Sequence, residues 1–401
     1  MAATSSATLC DPAVIRRIVV SLIADEIGRA TRRDISPAVV AGWTDSTGID
    51  EEGVGVDSLM RLDCALRLNE YFHLHEVGSE DYLLVRRTVG DWVDVVVETL
   101  KMRFAAITFR TSGSTGVPAK CTQTITDLDT EIVAFAEIVG SRRRVAALVP
   151  PHHIYGFLHT VRLPIHLCAE TVDLRCSGPG SWAGLVRSGD LVVATPHMWS
   201  LLAEAGLRLP DDVVGVTSTA PMPAPLANRL SLLGLGRLIE IYGSSETAGI
   251  GWRDDPASPY RLFDFWRVAD GGRAIARPLS PPIALNDVVT WDSDRCLRVG
   301  PRSDGMVQIG GINVNPSDVG RRMRQHAAVV DCIVRAQRSI DPARARLEAF
   351  VVTRAPITNE PVFADDLATW CASQFDAAER PVAFTFGTSM PRDSVGKPTQ
   401  W

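Results

Sequence analysis

Residues 111–116, TSGSTG, bring two glycines and four hydroxyl side chains together directly after an apolar run at 104–109. Glycines let the backbone bend so that successive N–H groups converge, and converging N–H groups bind anions. The segment therefore favours a phosphate-binding loop, with a plain surface turn as the alternative interpretation. The residues concerned are Thr111, Ser112, Gly113, Ser114, Thr115 and Gly116.

A second group of reactive side chains lies in IEIYGSSETAG, residues 239–249, which begins with another β-prone run. Tyr242 can stack on a nucleotide base, the Glu246 carboxylate suits Mg²⁺, and the Thr247 hydroxyl can reach a phosphate. Together with the first loop, these groups are compatible with nucleotide binding. Further polar residues follow in LNDVVTWD, GPRSDGMVQIGG and PRDSVGKPTQW, namely Asp287, Arg302, Asp304 and Lys397.

The elements that must position these groups follow from residue patterns beyond position 104. Strand-like runs alternate there with helical runs, which predicts an α/β fold. Gly, Pro, Ser or Thr ends these runs, so we expect the site at the carboxyl ends of the strands. The strand candidates are 104–109, 145–149, 190–195, 213–219 and 238–243, and the helical candidates between them are 126–139, 197–206 and 223–233.

The two ends of the chain follow other patterns. Helical spacing of apolar residues through 1–100 predicts a small helical bundle, with Asp11 before Pro12 as one cap and Thr88 with Asp91 as a capping box. Residues 305–401 combine a Gly- and Asn-rich turn with two helical runs and two strand candidates, at 347–352 and 382–387. This end therefore indicates a separate small domain.

The ordered series TSGSTG, YGSSET, GPRSDGMVQIGG and PRDSVGK resembles the adenylate-forming enzymes over residues 104–401. That superfamily includes acyl- and aryl-CoA synthetases, acyl:carrier-protein ligases and the adenylation domains of peptide synthetases. The resemblance implies a large ATP-binding domain at 104–303, here without the family's usual front segment. It also implies a small, mobile C-terminal α+β domain at 305–401 that carries the catalytic lysine.

The same resemblance implies a role for each matching residue. Residues 111–116 would hold the β- and γ-phosphates of ATP, and Tyr242 would stack on adenine. Lys397 would bridge the substrate carboxylate and the α-phosphate, because its positive charge offsets the repulsion between two anions. Asp287 and Arg302 would bind the ribose, and Glu246 would bind Mg²⁺. Thr247, next to Glu246, would be a catalytic residue, and Asp304 would be the hinge between the two domains.

Two further segments have alternative interpretations. His153, in PPHHIYGF, matches the position where the family has a histidine beside the acyl pocket, but a packed histidine at a strand end fits equally well. Ser218, Thr219 and Ala220, in STAP, match a small-residue segment beside adenine, and a simple turn is the competing account.

The N-terminal bundle at 1–100 resembles an acyl carrier protein around GVGVDSLMRLDCALRL. The resemblance makes Ser58 a candidate for 4′-phosphopantetheine attachment. The alternatives are that Asp57 and Ser58 merely cap a helix, or that the bundle is a docked structural module replacing the missing front segment. A carrier-like module beside a ligase is similar to the acyl:carrier-protein ligases of aryl polyene pathways.

Composition excludes several classes of protein. A net charge of −6 argues against nucleic acid as the main partner, and the uncharged run at 145–161 contains prolines and histidines, which is unlike a membrane span. The amino terminus lacks the pattern of a secretory signal, and eight scattered cysteines form no C-x-x-C pair. We therefore expect a cytoplasmic protein.

The function implied is an ATP-dependent, AMP-forming ligase that requires Mg²⁺. It would activate an aromatic acid, such as a hydroxybenzoate or hydroxycinnamate, and pass it to the phosphopantetheine thiol of an acyl carrier protein or of CoA. The alternative is a catalytically inactive nucleotide-binding protein, or a carrier or scaffold protein of a polyketide or fatty-acid-like pathway.

Overall fold

The computed structural model describes residues 10–31, 33–110, 119–206, 208–278, 280–302, 305–337 and 345–390, with the backbone alone at 183 and 301–302. The chain forms two compact units. The first contains residues 10–110, 120–285 and 289–299, and the second contains residue 119, residues 286–288 and the described residues from 300 onward.

The predicted N-terminal helices are confirmed. The Ala13 N–H donates to the Asp11 carboxylate over 2.8 Å, and Thr88 and Asp91 form a reciprocal capping box. The helices are α1 (Pro12–Thr31), α2 (Pro37–Ala41), α3 (Ser58–Phe72), α4 (Tyr82–Val85) and α5 (Val89–Met102), with a 3₁₀ turn at Leu74–Glu76.

These helices share one hydrophobic core with the rest of the first unit. A continuous cluster of buried side chains runs from Ile15 and Trp92 in the helices to Val145 and Ile239 farther along the chain. The first unit therefore has no boundary near residue 100. A carrier-like role for residues 1–100 stays a prediction.

The run at 104–109 differs from the expectation of a strand in the main sheet. It forms β1 (Ala106–Arg110), which among the described strands pairs with β2 (Lys120–Thr124) alone, antiparallel and with Arg110 opposite Lys120. The backbone groups of β1 are thus paired with a strand close by in the sequence and not with the main sheet. The predicted phosphate loop at 111–116 falls between β1 and β2 in the sequence and lies outside the described residues.

The main sheet has nine strands in the order β13-β14-β9-β8-β7-β6-β5-β3-β4. Strands β4, β3, β5, β6 and β7 are parallel neighbours in that order, and β8 and β9 continue the sheet antiparallel. Strands β10 to β12 form a small separate sheet. The strands are β3 (Arg144–Ala147), β4 (Glu170–Asp173), β5 (Leu191–Ala194), β6 (Val214–Thr217), β7 (Arg237–Ser244), β8 (Ala248–Arg253), β9 (Tyr260–Leu262), β10 (Arg267–Ala269), β11 (Ala274–Ala276), β12 (Ile283–Ala284), β13 (Asp287–Ser293) and β14 (Cys296–Arg302).

The helices predicted at 126–139, 197–206 and 223–233 are confirmed to within one residue at each end, as α6 (Ile125–Val139), α10 (Pro196–Ala205) and α11 (Ala224–Leu232). The structure adds elements that the sequence did not predict, namely α7 (Ile154–Phe157), α8 (Leu163–Leu167), α9 (Pro179–Leu185), a π-helical segment at Leu158–Arg162 and a 3₁₀ turn at Asp270–Gly272. This alternation of strand and helix is the predicted α/β arrangement.

The second unit is an α+β arrangement in its described part. Strands β17 and β18 pair antiparallel, and β18 and β19 pair parallel. Gly310 and Gly311 both have positive φ, as the tight hairpin turn between β15 and β16 requires. The elements are β15 (Val307–Ile309), β16 (Ile312–Val314), α12 (Pro316–Met323), β17 (Val329–Ala336), β18 (Leu347–Thr353), α13 (Glu360–Gln374), a 3₁₀ turn (Ala377–Glu379) and β19 (Pro381–Gly387).

A buried ion pair fixes the start of β3. The Arg144 guanidinium donates to both carboxylate oxygens of Asp190, over 2.9 and 2.6 Å, and the two side chains are 9% and 2% exposed. Since Asp190→Asn leaves this buried cation without its counter-charge, we expect the free energy of unfolding to fall by about 2 kcal/mol. Urea unfolding measures the change, with Asp254→Asn as the control because its pair with Arg237 is far more exposed, at 46% and 34%. Equal effects of the two substitutions would contradict the prediction.

Among the helices that the structure describes, none has the length and apolar character needed to cross a membrane.

Candidate active site

The parallel strands bring several predicted residues to one edge of the main sheet. Parallel neighbours end at the same edge, and His153, Ser218–Ala220 and the turn at 245–247 follow β3, β6 and β7 there. The Tyr155 hydroxyl donates to the carbonyls of Ala194 and Val216, at the ends of β5 and β6, and so attaches α7 to this edge.

The junction of β6 and β7 offers groups that fit an adenine ring. The Ser218 hydroxyl donates to the Ile241 carbonyl over 2.9 Å, which ties the two strand ends together. Thr219 has φ 78°, and its buried hydroxyl has no hydrogen-bond partner among the described residues. Tyr242 is half-buried, with its ring centroid 5.6 Å from that of Tyr260. An aromatic ring and an unsatisfied hydroxyl at the ends of adjacent strands suit a flat, polar base.

The turn after β7 holds Glu246 and Thr247 in different environments. The Thr247 hydroxyl is buried and lies within the turn, donating to the Ala248 carbonyl over 2.9 Å and accepting from the Ser244 N–H over 3.1 Å. Glu246 is exposed. Burial and the nearby Glu246 carboxylate raise the pKa of the Cys121 thiol to about 11. An exposed carboxylate on a fixed turn fits a Mg²⁺ ligand.

Three supporting residues of this turn were not among the predicted site residues. The Gln123 amide donates to the carbonyls of Ser245 and Glu246, over 2.7 and 2.9 Å. At Gly249, the N–H donates to the Glu131 carboxylate over 2.8 Å, and the carbonyl accepts from the Trp266 indole over 2.7 Å. A Cβ at Gly249 would lie 2.5 Å from a Glu131 oxygen, so any other residue there would require the buried Glu131 carboxylate to move.

Glu131 gives the fold a pH dependence. Burial raises the pKa of this carboxyl to about 7, against the lowering effects of the Gly249 N–H and Arg277. The unfolded chain loses this proton near pH 4.3, so the free energy of unfolding falls by about 4 kcal/mol as the pH rises from there through about 7. We expect Glu131→Gln to abolish that loss because a neutral amide does not titrate.

Denaturant unfolding at pH 5 and pH 8 measures this effect. The matched control is Glu137→Gln, which changes an exposed carboxylate on the same helix. A Glu131→Gln variant with the pH dependence of the unchanged protein would refute the assignment.

His153 lies in a polar cluster at the amino end of α7. One of its ring nitrogens lies within 4.8 Å of a ring nitrogen of His152 and of a carboxylate oxygen of Asp25. His152 forms a 2.8 Å hydrogen bond with the Ser21 hydroxyl. His153 itself is exposed to solvent. Its position beside an acyl pocket stays a prediction.

A charged network holds both strands that flank the predicted phosphate loop. Glu70 of α3 pairs with Arg110, the last residue of β1, and with Lys120, the first residue of β2, each over 2.6 Å. Although burial alone would raise it, the pKa of Glu70 is lowered by these two cations. Glu26 also pairs with Arg110 over 3.1 Å.

The remaining predicted residues have the following positions. Thr111–Gly116, Asp304 and Lys397 lie outside the described residues. Asp287 is the half-buried first residue of β13, and Arg302 is the last residue of β14. Ser58 is the exposed first residue of α3, where the Asp57 carboxylate caps the helix by accepting from the Met60 N–H over 2.8 Å.

Comparison with known proteins shows which family has this arrangement. The family model described as AMP-binding enzyme matches residues 70–302. The chain belongs to the AMP-binding enzyme family. The expectation of an adenylate-forming fold is confirmed, as is that of an acid–thiol ligase at the level of the enzyme class.

The similarity to curated relatives extends over almost the whole chain. The chain is 38% identical to a 4-coumarate–CoA ligase of Cereibacter sphaeroides, over 98% of this chain and 97% of the relative. It is 35% identical to a 4-coumarate–CoA ligase of Rhodobacter capsulatus, over 97% of this chain and 100% of the relative. The N-terminal helices are therefore included in the similarity.

Solved structures share the fold at much lower identity. An o-succinylbenzoate CoA synthetase variant from Bacillus subtilis superposes with a TM-score of 0.60 at 19% identity, over 76% of this chain and 73% of that one. An amide bond synthetase from Marinactinospora thermotolerans also gives 0.60, at 18% identity, over 73% and 67%. At these identities the similarity shows the fold.

Proposed function

We propose that this protein activates a hydroxycinnamate-type acid with ATP and transfers the acyl group to CoA. The observation that carries the proposal is the nearly full-length identity of 34–38% to three proteins named 4-coumarate–CoA ligase. The sheet-edge arrangement of Tyr242, Thr219 and Glu246 supports it, because those side chains suit a nucleotide and its metal ion.

The reaction has two steps. In the first, a carboxylate oxygen attacks the α-phosphorus of ATP, the bond to the bridging oxygen breaks, and pyrophosphate leaves. In the second, the thiolate sulfur of CoA attacks the acyl carbon, and AMP leaves with the electron pair of the broken C–O bond. Mg²⁺ would offset the negative charge that accumulates on the phosphates in the first step.

Each predicted site residue would have a separate role in the first step. Tyr242 and residues 218–220 would hold adenine, Asp287 and Arg302 the ribose, and residues 111–116 the departing phosphates. Lys397 would draw the two anions together. His153 would line the acid pocket, Thr247 would stabilise the turn that presents Glu246 to Mg²⁺, and Asp304 would be the hinge of a small domain.

The thiol acceptor of the acyl group is either CoA or an acyl carrier protein. The names of the relatives favour CoA. Transfer to an acyl carrier protein, a link to aryl polyene synthesis and phosphopantetheine on Ser58 stay predictions, supported by the exposed position of Ser58 at a helix start. Intact-mass measurement after treatment with a phosphopantetheinyl transferase tests Ser58, and an unchanged mass would exclude a carrier role.

Acid-dependent pyrophosphate release tests the enzyme function. The protein is incubated with ATP, Mg²⁺ and either 4-coumarate, 4-hydroxybenzoate or a long-chain fatty acid, and the thioester is identified by mass spectrometry with CoA or a carrier protein as acceptor. We expect the fastest release with 4-coumarate and a thioester on CoA. Release that no acid stimulates would refute the proposal.

A further inference from the structure

Gln123 is a buried amide on the β2 face nearest to the turn that follows β7. Residues alternate along β2 between exposed and buried, and the buried pair is Cys121 and Gln123. Cys121 lies beside the Glu246 carboxylate, and Gln123 lies beside the backbone of the same turn. One face of β2 therefore contacts both the side chain and the main chain of Glu246.

The hydrogen bonds of Gln123 have a definite direction. Its amide nitrogen donates to the carbonyls of Ser245 and Glu246, over 2.7 and 2.9 Å, and its side chain is 8% exposed. An amide supplies two donors at one nitrogen, which matches two adjacent carbonyls. Burying a polar group is costly without such partners, so these bonds hold the turn in one conformation.

The other supports of the turn act on different atoms. Glu131 and Trp266 hold Gly249, at the start of β8, and Ser244 contacts Thr247. Among the described side chains, the hydrogen bonds to the carbonyls of Ser245 and Glu246 come from Gln123. Gln123 also connects this turn to β2, the strand that follows the predicted phosphate loop.

We infer that Gln123 is a positioning residue, which fixes the Glu246 carboxylate for its Mg²⁺ through the two carbonyl hydrogen bonds. This inference rests on the proposed function. Gln123 itself would touch neither the nucleotide nor the metal. Gln123 would act by fixing the position of Glu246 relative to β2, the strand that follows the predicted phosphate loop.

The test measures metal binding directly. Mn²⁺ is titrated into the protein with a non-hydrolysable ATP analogue, and free Mn²⁺ is followed by electron paramagnetic resonance. Gln123→Met keeps the length of the side chain but donates no hydrogen bond, and we expect it to weaken Mn²⁺ binding about tenfold. Gln123→Asn retains an amide that is too short to reach both carbonyls, and it should weaken binding to a smaller extent.

Thr122→Val is the matched control. It removes a 2.7 Å hydrogen bond to Thr108 from the neighbouring position of the same strand, away from the turn. We expect Mn²⁺ binding unchanged in this variant, so that general weakening of the hairpin is distinguished from a specific effect. Thermal unfolding without Mn²⁺ identifies a variant that does not fold. If one Gln123 variant does not fold, Mn²⁺ binding by the other Gln123 variant tests the inference.

Two results would overturn the inference. One is Mn²⁺ binding by a folded Gln123 variant that equals that of the unchanged protein. The other is equal binding by the unchanged protein and Glu246→Gln, since Gln123 would then have no ligand to position. The proposed function is decided separately, by acid-dependent pyrophosphate release from the unchanged protein.

Discussion

Lys397→Ala is expected to slow acyl-adenylate formation about a thousandfold, and largely to spare transfer from a supplied adenylate to the thiol. A fixed cation between the carboxylate and the α-phosphate would change the rate this much because it removes repulsion between two anions in a site that excludes water. The second step joins a thiol to an adenylate that already exists. It therefore has no need of that cation.

Two assays measure these steps apart. Acid-dependent exchange of pyrophosphate into ATP reports the first step, and thioester formation from synthetic coumaroyl-adenylate reports the second. Lys101→Ala is the control, since this lysine is exposed on α5 and is paired with Glu98 of the same helix. Equal loss of both steps in Lys397→Ala would contradict the role given to the lysine.

Local patterns were sufficient to predict much of the fold. The capping box at Thr88 and Asp91 and the helix at 126–139 depend on neighbours in sequence, and both were predicted correctly. The parallel strands 191–194 and 214–217 are short apolar runs followed by small residues, so their type and the edge that carries the site could also be predicted.

Pairing between distant segments could not be predicted in the same way. Strand β2, KCTQT, has only polar or small side chains, so nothing marked it as the partner of β1. The core shared by Ile15 of α1 and Val145 of β3 joins residues far apart in sequence. Such contacts depend on tertiary packing, for which a single sequence has no periodic signal.

The supporting residues of the site show the same limit, with one exception. Gln123 is one of several polar residues in the short strand β2 and belongs to no motif. Glu131, however, falls among Leu128, Ile132 and Phe135 on the buried face of α6. A carboxylate at a core position of an amphipathic helix is uncommon, and that spacing could have identified it.

Glu246→Gln is expected to reduce acyl-adenylate formation several hundredfold at a fixed Mg²⁺ concentration, with partial recovery as Mg²⁺ is raised. Glutamine keeps the shape of the side chain but lacks the charge that a hard divalent cation prefers, so the metal would be held less tightly against the phosphates. The hydrogen bonds that the Gln123 side chain donates to the backbone of the turn are unaffected by this change, so we expect the variant to fold.

Pyrophosphate exchange over a range of Mg²⁺ concentrations measures this effect, with the Michaelis constant for the acid determined alongside. Glu170→Gln, an exposed carboxylate on β4, is the control and should behave as the unchanged protein. If Glu246 binds the metal, the Mg²⁺ requirement rises while the constant for the acid changes little. A loss of activity that is the same at every Mg²⁺ concentration would instead assign Glu246 a role apart from the metal, and the turn at 245–247 would then no longer mark the metal site.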